Sequence, residues 1–320
     1  MAVYRAAVLR GFGRPFSIEE YSYEPPGGWI GVRVRAVGVC GRDVVVWRGG
    51  FRNLRPPLVL GHEVFGEYDG KPVAVFPAIV GEECRERMPG RENLCRDYAI
   101  LGETVPGGYA EQVYVPRWNL IELPDTRYTD YAAAACGVAT FIHAARVAGV
   151  GAGDRVIVTG AAGGVGIHGV QYLLSHGVEV YGTTRSREKA RVLEELGVHP
   201  LTSREFSREL GAKVDAVFEV VGAPTINESL RALRPQGTLV LIGNVEGKPL
   251  ELVRPAMIVM RELRITGSAA YTRREYEAAI SLIARGLVRP FYKTYRLDEV
   301  NQAYENILAG RLVGRAVIIP

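Results

Sequence analysis

Three side chains suited to holding a metal stand far apart in this sequence: Cys40, His62 and Cys136. Thiolate and imidazole are ligands for zinc, and a catalytic zinc commonly takes three protein ligands and leaves a position open. Cys40 begins the stretch Cys40–Gly41–Arg42–Asp43, so an acid able to orient a metal ligand lies three residues on. Spacing alone does not group the three residues. Read singly, each favours a small buried hydrophobe or a satisfied core histidine over a ligand. Arg42 and Val45 flank Asp43, where neither a hydroxyl nor an imidazole is available. The segment therefore reads as a working metal site, the relic of one, or the end of a strand.

The stretch VIVTGAAGGVGIHGVQ places Gly160, Gly163, Gly164, Val165 and Gly166 between an apolar strand and a helix. Small residues let the backbone approach a pyrophosphate, and the free N–H groups of a helix start receive its charge. A glycine cluster is weak evidence alone and much stronger in this strand–turn–helix setting. Without a nucleotide it would be an ordinary tight turn of an α/β protein. The next strand, VEVYGTTRSREK, ends in Thr183, Thr184, Arg185, Ser186 and Arg187, with no acid before Glu188. A carboxylate there would hold a ribose diol, whereas hydroxyls and a guanidinium attract a 2′-phosphate. NADP(H) is favoured over NAD(H). The plainer alternative makes both arginines solvated residues at a helix start.

The elements that must position these groups change texture once along the chain. Through about residue 120 come short β-rich segments punctuated by Gly and Pro, YRAAVL, WIGVRVRAVGV, GEYDGKPVAVF and YAEQVYV, which predict a small irregular β-barrel. A helix is predicted over 132–147 with Asp130 as its N-cap. From Asp154, the strands RVIVTG, VEVYGT, VDAVFEVV, TLVLIG and LRITGSA alternate with the helices GVGIHGVQYLLSHG, SREKARVLEELG and PTINESLRAL. Apolar strands between amphipathic helices predict a doubly wound parallel sheet covered on both faces. Two further helices, RREYEAAISLIARG and LDEVNQAYENILAG, and a last strand, RAVIIP, add no βαβ unit and are expected to return to the first domain. The expected domains are 1–137 with 271–320, and 138–270.

Composition narrows the class. Apolar residues at 48% and charged residues at 23% are the globular norm, and 320 residues suffice for one large or two ordinary domains. A net charge of +4 without a basic, aromatic-interleaved patch gives no footprint for nucleic acid. The N-terminus lacks the apolar stretch of a signal peptide, and no run of about 18 apolar residues predicts a membrane span. Four cysteines are too few for a disulfide-built scaffold. A cytoplasmic protein is expected. Five lysines stand against abundant arginine, which leans toward a heat-adapted source or a genomic arginine bias.

In this order, VCGRD, LGHEVFG, GGYAEQVYVP, AAAACGVAT, VTGAAGGVGIHGVQ, FEVVG, LIGN and the closing GRAVIIP make the chain resemble the medium-chain dehydrogenase/reductase superfamily, its zinc alcohol dehydrogenase and quinone reductase group, over nearly its whole length. The resemblance implies a GroES-like β-barrel catalytic domain with an inserted Rossmann domain. It implies that Cys40, His62 and Cys136 bind a catalytic zinc, that Glu63 can exchange onto the metal, and that Asp43 orients the ligand histidine. It also implies Thr140 beside the nicotinamide, Val220, Val221, Gly222, Ile242, Gly243 and Asn244 at strand ends beneath the cofactor, and Arg315 as a pyrophosphate-binding arginine.

Two departures qualify this. In zinc alcohol dehydrogenases the position of Arg42 is a Ser or Thr that passes the proton from a bound alcohol, and Val45 replaces a histidine completing that relay. An arginine is a poor proton shuttle. Arg42 is expected either to hold an anion, such as a cofactor phosphate, a substrate carboxylate or the phosphates of a CoA ester, or to be a salt-bridge partner. Many relatives also carry a structural zinc on four cysteines, which here fall on Gly81, Cys84, Arg87 and Cys95. Two ligands are missing, so no structural zinc is expected, and Cys84 and Cys95 form a disulfide or stay free thiols. The chain is also similar to archaeal acryloyl-CoA reductase-like members, sharing the Cys-x-Arg-Asp pattern, the Gly-Gly-Val-Gly-Ile-His turn and the strand end LIGNV. The expected activity is zinc-dependent hydride transfer between NADP(H) and an alcohol/carbonyl pair, preferably a bulky apolar ketone or secondary alcohol, with Trp47 and Phe51 as pocket walls or plain core aromatics. The alternatives are NADPH-dependent reduction of an activated C=C bond in an enone, quinone or enoyl-CoA, and a nucleotide-binding protein without catalysis. A homodimer or homotetramer is expected, with LRITGSA at a sheet edge.

Overall fold

The computed structural model describes all 320 residues except Val245, Glu246, Lys248 and Val253, so the last residue of LIGNV lies outside the described residues. The chain divides into two compact units, residues 1–135 with 272–284 and 290–320, and residues 136–271 with 285–289.

The first unit begins with β1 (Ala2–Leu9), β2 (Ser17–Tyr23), β3 (Ile30–Gly38), α1 (Gly41–Trp47), β4 (Leu58–Val59), β5 (Glu63–Tyr68) and β6 (Lys71–Val75). In β3 the sequence IGVRVRAVG buries alternate residues until its last three, which are all buried, as a strand entering a core must. Asp69 and Gly70, both at positive φ, make the two-residue turn between β5 and β6. Then come β7 (Ala78–Val80), α2 (Glu82–Arg87), β8 (Tyr98–Ile100), β9 (Gln112–Val115), β10 (Leu120–Glu122) and α3 (Tyr128–Tyr131). The tail contributes α10 (Arg273–Ala284), β17 (Tyr292–Arg296), α11 (Val300–Leu308) and β18 (Arg315–Ile319), numbered to follow the second unit's elements. The main sheet runs β10–β6–β5–β3–β18–β17, with β9 also on β3; β2–β1–β4 form a smaller sheet. Valines, leucines and tyrosines from both sheets and the tail fill one core, each fully buried large side chain contributing roughly 1.5–3 kcal/mol. Cys84 and Cys95 are joined as a disulfide with Cα atoms 6.2 Å apart, and closing a loop of this length stabilises by about 3 kcal/mol.

The second unit comprises α4 (Thr140–Ala148), β11 (Arg155–Val158), α5 (Gly166–Ser175), β12 (Glu179–Thr183), α6 (Arg187–Glu195), β13 (His199–Leu201), α7 (Phe206–Glu209), β14 (Val214–Glu219), α8 (Ile226–Ala232), β15 (Leu233–Leu241), α9 (Pro255–Arg261) and β16 (Arg264–Gly267). Its six strands are all parallel in the order β13–β12–β11–β14–β15–β16. This is the doubly wound arrangement, with β16, the LRITGSA strand, at one edge. Adjacent residues of β11 face opposite cores: Val156 and Val158 one, Ile157 the other. That two-sided burial is why these strands read as unbroken apolar runs.

The helix predicted over 132–147 is not continuous. Helix α3 begins earlier, with Arg127 at its N-cap position, so Asp130 is not the cap. The Asp125 carboxylate takes the Arg127 N–H at 2.9 Å, while Asp130 accepts from the Tyr292 hydroxyl. After α3 a wider, π-type turn spans Ala134–Ala139, with Ala135 at non-helical φ −60°, ψ −107°. Its three alanines and Gly137 carry no bulk to enforce regular packing, and such insertions recur at functional sites. By length and composition, Tyr128–Ala148 is the one helical stretch among the described residues that could cross a membrane, but 72% of its apolar 18-residue window is buried within the protein, as in a core helix. Sequence reading also missed β13, α7 and α9, which are short or interrupted by polar residues.

Candidate metal centre and dinucleotide turn

Strand register brings the candidate ligands together. Strands β3 and β5 are antiparallel with Gly38 opposite Glu63, and Cys40 and His62 extend just beyond that pair. A Cβ on Gly38 would lie 2.0 Å from the Glu63 carboxylate, so only glycine leaves room for it. Gly61 takes φ +94° and a Cβ there would strike the Tyr109 ring, so a second glycine sets the turn into His62. Cys136 directly follows Ala135, in the π-type turn. One ligand atom from each of Cys40, His62, Glu63 and Cys136 lies within 4.8 Å of the others. The first three are buried and Cys136 is half-buried. Two sulfurs, an imidazole and a carboxylate at this spacing suit a tetrahedral zinc.

Asp43 holds two of these residues. Its Oδ2 accepts the Cys40 backbone N–H at 2.9 Å, and its Oδ1 lies 3.0 Å from His62 Nδ1. With a carboxylate on Nδ1, the neutral ring carries its proton there and leaves Nε2 as the ligand atom. Burial works to lower the His62 pKa, but the charge and hydrogen bond of Asp43, with Cys40, push it well above the ordinary value; metal binding must displace the second proton of the charged ring, the one on Nε2. Asp43 Oδ2 also accepts from the Tyr109 hydroxyl at 3.2 Å, a contact that sequence reading missed.

Glu63 Oε2 accepts from the Arg315 guanidinium, and both side chains are sealed from solvent. The resemblance places Arg315 at a pyrophosphate; the structure pairs it with an acid of the metal cluster. Arg42 is a salt-bridge partner, its Nε and Nη2 donating to the two oxygens of Glu103, with Nη2 to Oε2 at 3.0 Å. Its guanidinium carbon lies 4.6 Å from the Phe51 ring centre. Burial acts to lower the Arg42 pKa; the hydrogen bond and charge of Glu103, and Cys40 beyond it, raise it on balance. The carboxylate fills the fork that an external anion would need. Phe51 packs beneath Arg42, and Trp47 donates to the Arg14 carbonyl at 2.8 Å, so both pack as partly buried core aromatics.

In the second unit the glycine turn joins β11 to α5 as required. Gly160 donates to Thr183 Oγ1 at 3.0 Å, and His168 Nδ1 lies 2.9 Å from the Gly164 carbonyl. The backbone therefore uses the Thr183 hydroxyl. Thr184, Arg185 and Ser186 lie together in the loop from β12 to α6, where Ser186 caps the helix by accepting from Lys189 N; Arg185 and Arg187 are exposed. Thr140 is buried at the start of α4. A residue that sequence reading missed organises the strand ends. Glu219 Oε1 accepts from Thr159 Oγ1, Val221 N, Gly222 N and Thr225 Oγ1, and Oε2 from Ser229 Oγ, at 2.6–3.1 Å. Its carbonyl takes the N–H groups of Ile242 and Gly243. One residue thus shapes both stretches expected beneath a cofactor. An acid inside the apolar run VDAVFEVV was the available signal.

Comparison with known proteins agrees with this geometry. Residues 26–125 match the alcohol dehydrogenase GroES-like domain and residues 164–285 the zinc-binding dehydrogenase profile. The chain is 31% identical to an acryloyl-coenzyme A reductase of Metallosphaera sedula, over 98% of this chain and 99% of that one. The chain belongs to the zinc-binding dehydrogenases of the medium-chain dehydrogenase/reductase superfamily. It is also 28% identical to a D-arabinose 1-dehydrogenase (NADP(+)) of Saccharolobus solfataricus, covering 100% of this chain and 99% of that one. The alcohol dehydrogenase of Aeropyrum pernix superposes with a TM-score of 0.90 at 26% identity, covering 99% and 100% of the two chains. This zinc-binding dehydrogenase is therefore an oxidoreductase built from a GroES-like domain and a Rossmann-like parallel sheet.

Proposed function

We propose that this zinc-binding dehydrogenase reduces the activated C=C bond of an α,β-unsaturated carbonyl compound, an enone or enoyl thioester, with hydride from NADPH. The observation that carries the reading is Arg42, locked by Glu103 at the position where an alcohol dehydrogenase relays a proton through a hydroxyl. Reducing a carbonyl requires a proton delivered to its oxygen; conjugate reduction puts hydride on the β-carbon and the proton on the α-carbon. Likeness to an acryloyl-coenzyme A reductase supports this choice. When bound, zinc supplies a Lewis acid and the nicotinamide a hydride donor. Cys40, His62 and Cys136 are assigned as metal ligands with Glu63 able to join them, and because Asp43 engages His62 Nδ1, Nε2 is assigned as the ligand atom. Thr140, Val220, Val221, Gly222, Ile242, Gly243 and Asn244 are assigned to the cofactor with the glycine turn, whereas Arg315 is engaged by Glu63. The exposed Arg185 and the acid-free end of β12 support NADP(H). The Cys84–Cys95 disulfide supports a first unit without structural zinc. A cytoplasmic homo-oligomer is the assembly we infer.

The complete donor set supports a second reading, reversible alcohol/carbonyl interconversion. One assay separates the two: incubation with NADPH and an enone, followed by product identification. The saturated ketone is expected, and allylic alcohol as the sole product overturns the first reading in favour of the second.

A further inference from the structure

Behind Asp43 stand two tyrosines with no place in the reaction. Tyr109 is completely buried and Tyr304 is 3% exposed, and their hydroxyl oxygens lie 3.4 Å apart. The Tyr109 hydroxyl can only donate to the Asp43 carboxylate, so the proton between the tyrosines belongs to Tyr304. The order Tyr304→Tyr109→Asp43 is therefore directional and ends on the carboxylate that receives Cys40 N–H and faces His62 Nδ1. The rings are braced: Phe16 lies 6.0 Å from Tyr109 and 4.9 Å from Tyr304, and Trp47 6.0 Å from Tyr304. The main chain points the same way. Gly107 N, Gly108 N and Tyr109 N bond the carbonyls of Val59, Gly61 and Leu60, the residues leading into His62.

We propose that Tyr109 and Tyr304 are positioning residues of the metal cluster, a buried chain of two hydroxyls that fixes the Asp43 carboxylate and, through it, the His62 ring and the Cys40 backbone. The inference rests on the metal reading of the cluster. Losing the Tyr109 hydroxyl leaves Asp43 Oδ2 with one donor and the buried Tyr304 hydroxyl without its acceptor, so the carboxylate can rotate away from His62.

The test measures Zn2+ affinity by chelator competition, and the visible spectrum with Co2+ in its place, for wild type, Tyr109→Phe, Tyr304→Phe and Cys40→Ala. Tyr109→Phe is expected to bind zinc about tenfold more weakly and to shift the Co2+ bands, with Tyr304→Phe weaker by about threefold. In an Asp43→Asn background, Tyr109→Phe should add almost nothing, because its route to the metal is already cut. A lowered melting temperature with wild-type zinc affinity and spectrum assigns the tyrosines to core packing and overturns the proposal. If Tyr109→Phe does not fold, Tyr304→Phe decides by the same readouts. Zinc binding lost in Cys40→Ala but intact in both tyrosine variants rejects this inference alone; wild-type protein that takes up no zinc at the cluster rejects the metal reading with it.

Discussion

Asp43 and Glu219 are carboxylates sealed from water, one in each unit, and each is made tolerable by converging donors. Their donors differ in kind. Asp43 faces groups of the candidate ligands themselves, the Cys40 N–H and the His62 ring, backed by one tyrosine. Glu219 collects two loop N–H groups and three hydroxyls, none on a reacting group. The first carboxylate aims side chains and the second shapes a backbone. A metal cluster needs a few atoms at fixed separations, so its support acts through individual rings; a nucleotide lies along a surface, so its support acts through chain path.

The strongest way to break this comparison is to remove a ligand. Cys40→Ala is expected to take bound zinc from about one per chain to none and to lower turnover on the order of 10³-fold, the loss of several kcal/mol of charge stabilisation. Metal analysis and initial rates measure both. NADPH affinity, read by fluorescence titration, should hold, and its collapse would mean that one unit cannot be perturbed without the other.

The two carboxylates themselves give a sharper and smaller test. Asp43→Asn is expected to weaken zinc about 10- to 100-fold while leaving NADPH binding unchanged. Glu219→Gln should do the reverse, costing about 2 kcal/mol of stability through mismatched donors and weakening NADPH about tenfold with zinc untouched. Denaturant midpoints, chelator competition and cofactor titration on both variants separate the effects. If Glu219→Gln strips zinc, or Asp43→Asn loses cofactor, the division of labour is wrong.

The same contrast explains what could be read in the sequence. The parallel sheet was legible because its strands are apolar on both faces and its turn rich in glycine, signals that are local. Asp43 was legible because it lies three residues from Cys40, inside a motif. Glu219 and Tyr109 were not, because their meaning depends on partners such as Thr159, 60 residues away, and Tyr304, 195 residues away. The break at Ala135 was hidden for another reason: an alanine run has high helix propensity, and only the packed structure bends it to present Cys136. Arg42 was read as one of two things, and the choice rested on a glutamate 61 residues on.

The smallest expected effect concerns the loop between β12 and α6, where local sequence and structure meet without a buried partner. Arg185 is exposed, and Ser186 accepts from Lys189 N while its own proton stays available. A guanidinium in water contributes little to holding a phosphate unless the geometry is bidentate, so Arg185→Ala should reduce the preference for NADPH over NADH by about tenfold or less, roughly 1.4 kcal/mol. The ratio of kcat/KM for the two cofactors is the measurement, since general damage to the fold lowers both alike. A ratio that does not move makes Arg185 a solvated residue at a helix start, and cofactor choice must then rest on the Thr184 and Ser186 hydroxyls, where Ser186→Asp should invert it by setting a carboxylate against the 2′-phosphate.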